Sequence, residues 1–150
     1  VGIFACDDYM LFSNVSSKDL FRQGFRPSRW PGIGPTVSVI DANMEVQRSS
    51  KYFTPLNSGI FIKAWRRIFA DGLYKEADWT LKLDADAVFL PGRLRELLWS
   101  ACPLSHGRCG ALYVEDPGRH MSGPVEALSR EAVENFSRGA DGCEQSIDHS

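Results

Sequence analysis

The chain has 150 residues, of which 43% are hydrophobic and 24% charged, and its formal net charge is −2. This length suits one domain, and the composition excludes an intrinsically disordered chain. The 17 basic and 19 acidic residues nearly balance, so we expect no nucleic-acid partner bound through bulk positive charge. No apolar run approaches the roughly 18 residues of a membrane span. Since no initiator Met is present, we expect a fragment of a longer protein, with any membrane anchor outside this chain.

Hydrophobic patterning predicts strands that alternate with helices. In chain order, strands are predicted at residues 1–6, 36–40, 78–83, 109–114 and 125–128, and helices at residues 16–25, 58–71, 91–101 and 130–137. Gly72 and Gly139 are expected to end the second and the last helix, and Pro91 and Ser129 to begin the third and the last. The alternation favours an α/β domain with a parallel or mixed sheet covered by helices.

Acidic residues follow several of the predicted strands. Asp7 and Asp8 follow the first strand, and Asp84 and Asp86 follow the strand at residues 78–83. In sheets of this kind ligands gather beyond the carboxyl ends of the strands. Residues i and i+2 of extended chain point to the same side, so we expect Asp84 and Asp86 to converge, with Leu83 and Val88 anchoring the flanks. Two close carboxylates repel unless a cation lies between them, and Mg²⁺ or Mn²⁺ suits carboxylate oxygens.

Two other interpretations of this Asp-x-Asp pattern stay open. It can be a plain exposed turn. It also fits the signature of haloacid-dehalogenase-like phosphatases, in which Asp84 would be the nucleophile and Asp86 a general acid beside Mg²⁺. That signature normally lies on the first strand of its domain, whereas here a long segment precedes it.

The chain also resembles a known family along most of its length. Residues 78–91, DWTLKLDADAVFLP, resemble a segment of GT-A-type glycosyltransferase-like proteins and, more distantly, of the fringe and β-1,3-galactosyltransferase group. Residues 3–9, IFACDDY, resemble the first, nucleotide-facing strand of that family, and residues 57–65 its helix before the metal strand. Residues 123–132, GPVEALSREA, resemble its acceptor-side segment.

The resemblance implies a GT-A-like, Rossmann-like domain that is incomplete in this chain. It implies transfer of a sugar from a nucleotide-diphosphate sugar, with UDP-sugar expected, to a hydroxyl of a glycan or protein acceptor. Asp84 would contact ribose or metal, Asp86 would bind Mn²⁺ or Mg²⁺, and Asp7, Asp8 and Tyr9 would contact the nucleotide.

The same resemblance places such enzymes in the lumen of the Golgi and the secretory pathway. Its late acidic motif has no clean match in this chain: either Glu144, which is followed by Gln145 where an Asp is expected, is a degraded match, or the motif lies beyond Ser150. Glu144 is the candidate catalytic residue within the chain. A catalytically inactive GT-A-like binding domain is the main alternative.

The four cysteines, Cys6, Cys102, Cys109 and Cys143, form no C-x-x-C pair, which argues against a zinc or thioredoxin-type site. They fit either free thiols or one or two disulfides, and Cys102 and Cys109 are close enough in sequence for a local bridge.

Overall fold

In a computed structural model of the chain, the structure describes residues 2–22, 37–45, 57–102, 109–114 and 124–147. These residues form two compact units. One comprises Asp8–Ala70, and the other comprises Val1–Asp7 together with Asp71–Ser150. The architecture is mixed α/β, as expected, with two-stranded sheets and α-helices in the described ranges.

The unit at Asp8–Ala70 contains a parallel strand pair. Strand β1 (Leu11–Ser13) pairs with β2 (Val37–Val39), and the amide of Ile40 continues the pairing by donating to the carbonyl of Ser13 at 2.9 Å. Helix α1 (Ser17–Arg22) lies between the two strands in sequence. Ser16 caps this helix, because its hydroxyl accepts from the amide of Asp19 at 3.3 Å and donates to the Asp19 carboxylate at 2.6 Å. The last residues of the predicted helix, 23–25, lie outside the described residues.

Helix α2 (Ser58–Asp71) has the predicted bounds. It carries an apolar stripe, on which Ala64 and Trp65 are buried, while Lys63, Arg66 and Arg67 are exposed. A small core surrounds the stripe and consists of Ile40, Ala42 and Ala64, with Phe12, Met44 and Ile60 packed against it. Gly72 follows the helix with a φ of 69°, the left-handed conformation expected of a helix-ending glycine.

The other unit is built on an antiparallel strand pair. Strand β3 (Trp79–Leu83) runs against β4 (Val125–Ser129), so that Trp79 lies opposite Ser129 and Leu83 opposite Val125. The pairing continues at both ends, since the amide of Asp84 donates to the carbonyl of Pro124 and the amide of Arg130 donates to that of Asp78, each at 3.0 Å. This register fixes which residues of β3 and β4 meet side by side.

Helices complete this unit. Helix α3 (Pro91–Ala101) begins at the predicted proline, and α4 (Arg130–Ile147) follows β4 directly and packs against it. Short 3₁₀ helices lie at Gly2–Ala5 and Leu73–Glu76. Val133 of α4 is fully buried, and Ala127, Leu128 and Ser129 of β4 are almost so. The described residues thus place β4 at the centre of the unit.

Several sequence predictions for this unit are wrong. Residues 2–5 form a 3₁₀ helix and not a strand, because the amide of Cys6 bonds to the carbonyl of Ile3 at 3.0 Å. Residues 109–114 make one bridge, between Tyr113 and Leu128, in place of a full strand. The apolar spacing of the helix at residues 91–101 predicts that Leu97 and Leu98 both face inward; Leu98 does, but Leu97 is 52% exposed.

The last helix also differs from its prediction, because α4 continues through Gly139 to Ile147. Gly139 is not among the described glycines with positive φ, which are Gly72 and Gly110. A glycine inside a helix costs only about 1 kcal/mol. Burial of one face of α4, centred on Val133, is worth more than this.

Candidate functional site

The predicted acidic site lies on a tight turn at the end of β3. The amide of Ala87 donates to the carbonyl of Asp84 at 3.0 Å, which closes a four-residue turn with Ala85 and Asp86 at its centre. At its start the turn is held by the bond between Asp84 and Pro124. Because residues 85 and 86 are in a turn, the extended geometry behind the expected convergence of Asp84 and Asp86 does not apply to them.

The two aspartates have different surroundings. The Asp84 side chain is 31% exposed and contacts Lys82, whereas Asp86 is exposed to solvent. The expected anchoring by Val88 is wrong, because Val88 is 88% exposed and the next residue, Phe89, is the buried one at 8%. The chain after the turn is therefore fixed through Phe89, and Val88 stands beside the turn as an apolar surface residue.

Lys82 connects the turn to the neighbouring strand. Its Nζ lies 2.9 Å from Oδ1 of Asp84 and donates a hydrogen bond to Oε1 of Glu126 at 3.1 Å. Lys82 and Glu126 are direct register partners in the β3–β4 pair, so their side chains share one face of the sheet. The lysine side chain is only 12% exposed and that of Glu126 only 17%. The result is a half-buried row of carboxylate, ammonium and carboxylate.

Burial and charge act on Lys82 in opposite directions. Burial lowers the pKa of its ammonium, but the contacts with Asp84 and Glu126 outweigh burial, and the net effect is a raised pKa. Lys82 is therefore charged throughout the physiological range, and it offsets the negative charge of the turn.

One buried oxygen of the turn has Lys82 as its charged partner. Oδ1 of Asp84 is a buried atom outside the hydrogen bonds of the turn, and the Lys82 ammonium lies 2.9 Å from it. No cluster of three or more His, Cys, Asp or Glu that could hold a metal occurs in the described ranges. Mg²⁺ and Mn²⁺ do not need such a cluster, since they bind through one or two carboxylates together with waters and substrate phosphates. Asp84 and Asp86 carry ligand groups of this chemical type.

The expected nucleotide-binding residues are spread over both units. Asp7 belongs to the unit of β3 and β4, where the Arg95 guanidinium lies 3.2 Å from its carboxylate and donates to the carbonyl of Ala5 at 3.0 Å. Asp8 and Tyr9 belong to the other unit, and the amide of Tyr9 donates to the Asp8 carboxylate at 2.7 Å. All three expected residues precede β1, so the prediction that they follow the first strand is wrong.

Two further predictions concern the margins of the site. Glu144 lies within α4, but its side chain is outside the described residues.

Cys6 stands next to Asp7 and is a free thiol. Burial raises the pKa of this thiol, with Arg95 opposing the effect and Asp7 adding to it. Cys102 and Cys109, which are close enough in sequence for a local bridge, form a disulfide.

Sequence reasoning missed Lys82 and Glu126 as members of the site. The available signal was the position of Lys82 two residues before Asp84, which places the two side chains on the same face of an extended strand. Glu126 could be found only from the pairing of β3 with β4, because 44 residues separate it from Lys82.

No protein-family model, curated protein or solved structure matches this chain. Within the described ranges no helix has the length and apolar character to cross a bilayer.

Proposed function

We propose that this chain contributes the donor-binding part of a metal-dependent glycosyltransferase with a GT-A-like fold. The observation that carries the proposal is the turn after β3, where Asp86 is exposed and Asp84 has a buried oxygen outside the hydrogen bonds of the turn. These two carboxylates are the residues that the family resemblance assigns to the metal and the nucleotide. Mn²⁺ or Mg²⁺ and a UDP-sugar are the proposed ligands, and a glycan or protein hydroxyl is the proposed acceptor.

The residues of the turn have different proposed roles. Asp86 would bind the cation from the solvent side, and Asp84 would offer its buried oxygen to the cation or to the ribose. When bound, the cation supplies positive charge that stabilises a departing diphosphate. The hydrogen bond from the amide of Asp84 to Pro124 and the closure of the turn at Ala87 keep the backbone of the turn in place beforehand, which reduces the cost of ordering it on binding.

The electrostatics of the turn support a polyanionic donor only when a cation is present. Asp84, Asp86 and Glu126 bring three carboxylates, and Lys82 brings one positive charge. Without a cation the surplus of negative charge repels a diphosphate. We therefore expect donor binding to depend on the divalent cation.

Calorimetry of UDP binding, with and without Mn²⁺, tests the proposal. We expect UDP to bind only with Mn²⁺, and Asp86→Asn to weaken Mn²⁺ binding by at least about tenfold, since even loss of an outer-shell partner commonly costs that much. Glu76→Gln is the matched control, because it removes an exposed carboxylate from the short helix at Leu73–Glu76. UDP binding that ignores Mn²⁺, or equal effects of both variants, would contradict the proposal.

A further inference from the structure

Lys82 and the proposed cation compete for the same oxygen. The ammonium of Lys82 lies 2.9 Å from Oδ1 of Asp84, and this oxygen is the buried one outside the hydrogen bonds of the turn. We propose that Lys82 is an internal counter-ion of the turn, which must release Asp84 when a divalent cation binds and is then retained by Glu126. The proposal rests on the proposed function and takes, of the two ligands given there for Asp84, the cation.

The strand pairing holds the backbone, so only the Lys82 side chain has to move when the cation replaces it at Asp84. Residues 82 and 126 face each other in the β3–β4 ladder, and the ladder continues to Asp84 through its bond to Pro124. The backbone at Lys82 and at the turn is therefore held on both sides of the lysine. The four-carbon stem of lysine is flexible and its ammonium has three donors, so the head group can leave Asp84 without disturbing the ladder.

Glu126 gives the displaced ammonium a partner. It already accepts a hydrogen bond from Lys82 at 3.1 Å, and it is 17% exposed. An ammonium that left Asp84 with no remaining carboxylate would be a poorly solvated charge at a half-buried site, which is costly. Glu126 thus lowers the cost of freeing Asp84, and its effect on cation binding passes through Lys82.

This arrangement predicts opposite effects of two substitutions. Lys82→Met removes the competitor, so we expect Mn²⁺ to bind on the order of tenfold more tightly, the size expected for one charge-assisted contact. Glu126→Gln removes the carboxylate that shares the Lys82 ammonium with Asp84, which strengthens the hold of Lys82 on Asp84, so we expect Mn²⁺ to bind on the order of tenfold more weakly. Electron paramagnetic resonance at constant pH and ionic strength measures the binding of Mn²⁺ alone. It reports both changes in affinity without any assay of activity.

The double variant Lys82→Met/Glu126→Gln separates competition from general electrostatics. If Glu126 acts through Lys82, the glutamine substitution changes Mn²⁺ affinity by less than about twofold once Lys82 is gone, which is the usual limit of additivity error. If Glu126 acts through its long-range charge or binds Mn²⁺ itself, the glutamine substitution weakens binding as much in the Lys82→Met background as in the wild type. That additive result would overturn the inference.

Two further controls keep the experiment decisive. Amide hydrogen exchange in β3 and β4 reports whether each variant keeps the strand pair, and Lys82→Gln replaces Lys82→Met if the latter unfolds, with the same expected direction. Suppose that Asp86→Asn abolishes Mn²⁺ binding but that the effects of Lys82→Met and Glu126→Gln on Mn²⁺ affinity are additive. That result overturns this inference and leaves the proposed function untouched. A wild-type chain that binds no Mn²⁺ overturns the proposed function and the inference together.

Discussion

The two units of this chain hold their strand pairs by different means. In the parallel unit, β1 and β2 are accompanied by a small apolar core around Ile40 and Ala64, and α2 contributes a continuous apolar stripe. In the antiparallel unit, charged side chains bridge neighbouring segments, as in the contacts of Lys82 with Glu126 and of Arg130 with Asp78. A disulfide adds a covalent link.

This difference explains where the candidate chemistry lies. Apolar packing positions the strands of the parallel unit, in which the uncharged Ser38 of β2 is buried. Register pairing in β3–β4 places charged groups opposite each other at 3.1 Å and keeps them largely out of solvent, where electrostatic interactions are stronger than at the surface. The parallel unit therefore depends mainly on burial, and the antiparallel unit depends also on polar contacts and a cross-link.

The largest expected effect tests the role of burial in the parallel unit. Trp65 of α2 is 6% exposed and stacks on Phe69 with ring centroids 5.9 Å apart. Trp65→Ala should lower the free energy of unfolding of this unit by about 3–5 kcal/mol, measured from amide exchange of α2. Ala70→Ser, on the exposed side of the same helix, is the control. A loss from Trp65→Ala of under about 1 kcal/mol, within the range of surface substitutions, would mean that burial on α2 does not hold the unit.

A somewhat smaller effect tests the cross-link of the antiparallel unit. Cys102 and Cys109 close a short loop with a sequence separation of 7. In the chain-entropy model, a loop of this size stabilises the fold by about 2.5 kcal/mol. Cys102→Ala/Cys109→Ala should lose about this much in urea unfolding, and reductant should destabilise the wild type but not the double variant. Equal responses of both proteins to reductant would show that the bridge does not stabilise the unit.

Part of the fold could be predicted because the decisive interactions are local. The spacing of apolar residues defines α2, the left-handed glycine at Gly72 defines its end, and Pro91 defines the beginning of α3. Each of these signals acts within one or two turns of chain. The same is true of β3, which has strand patterning and is followed at once by the acidic turn.

Other features depend on partners distant in sequence. The run at residues 2–5 is apolar enough for a strand, but a strand needs a neighbour, and a local hydrogen bond closes a 3₁₀ turn there instead. Likewise α4 passes through Gly139 because packing on β4 outweighs the propensity of glycine. In the site, the Asp84–Asp86 turn was predictable, whereas the partnership of Lys82 with Glu126 required the register of β3 and β4.

A buried hydroxyl tests the polar contacts of the antiparallel unit. Ser129 is 2% exposed, and its Oγ accepts from the amides of Leu112 at 2.9 Å and Ala132 at 3.3 Å and donates to the carbonyl of Gly110 at 2.8 Å. Ser129→Ala leaves these groups without their partner and should cost about 2 kcal/mol. The control Ser100→Ala removes a hydroxyl that is exposed and bonds only within α3.

Thermal or urea unfolding of the two serine variants gives this comparison directly. Ser129→Ala should be the more destabilised by well over about 1 kcal/mol, because the Ser129 side chain is 2% exposed and its hydrogen bonds are part-buried, whereas that of Ser100 is exposed. If both variants unfold like the wild type, the polar contacts of Ser129 do not stabilise the antiparallel unit. The disulfide is then the remaining difference in how the two units are stabilised.

The smallest expected effect is an alkaline loss of stability through Lys82. Its pKa in the folded chain is raised above the ordinary value of 10.5, so the folded state holds the proton more tightly than the unfolded state. The stabilisation is then fully present below pH 10.5 and is lost as pH rises through the folded-state pKa. We expect the difference in unfolding free energy between the wild type and Lys82→Met to shrink by up to about 1 kcal/mol over that range, the order of a partly exposed ion pair. Because both proteins share all other titrating groups, a difference that stays constant from pH 8 to above pH 11 would mean that the charge on Lys82 does not stabilise the β3–β4 pair.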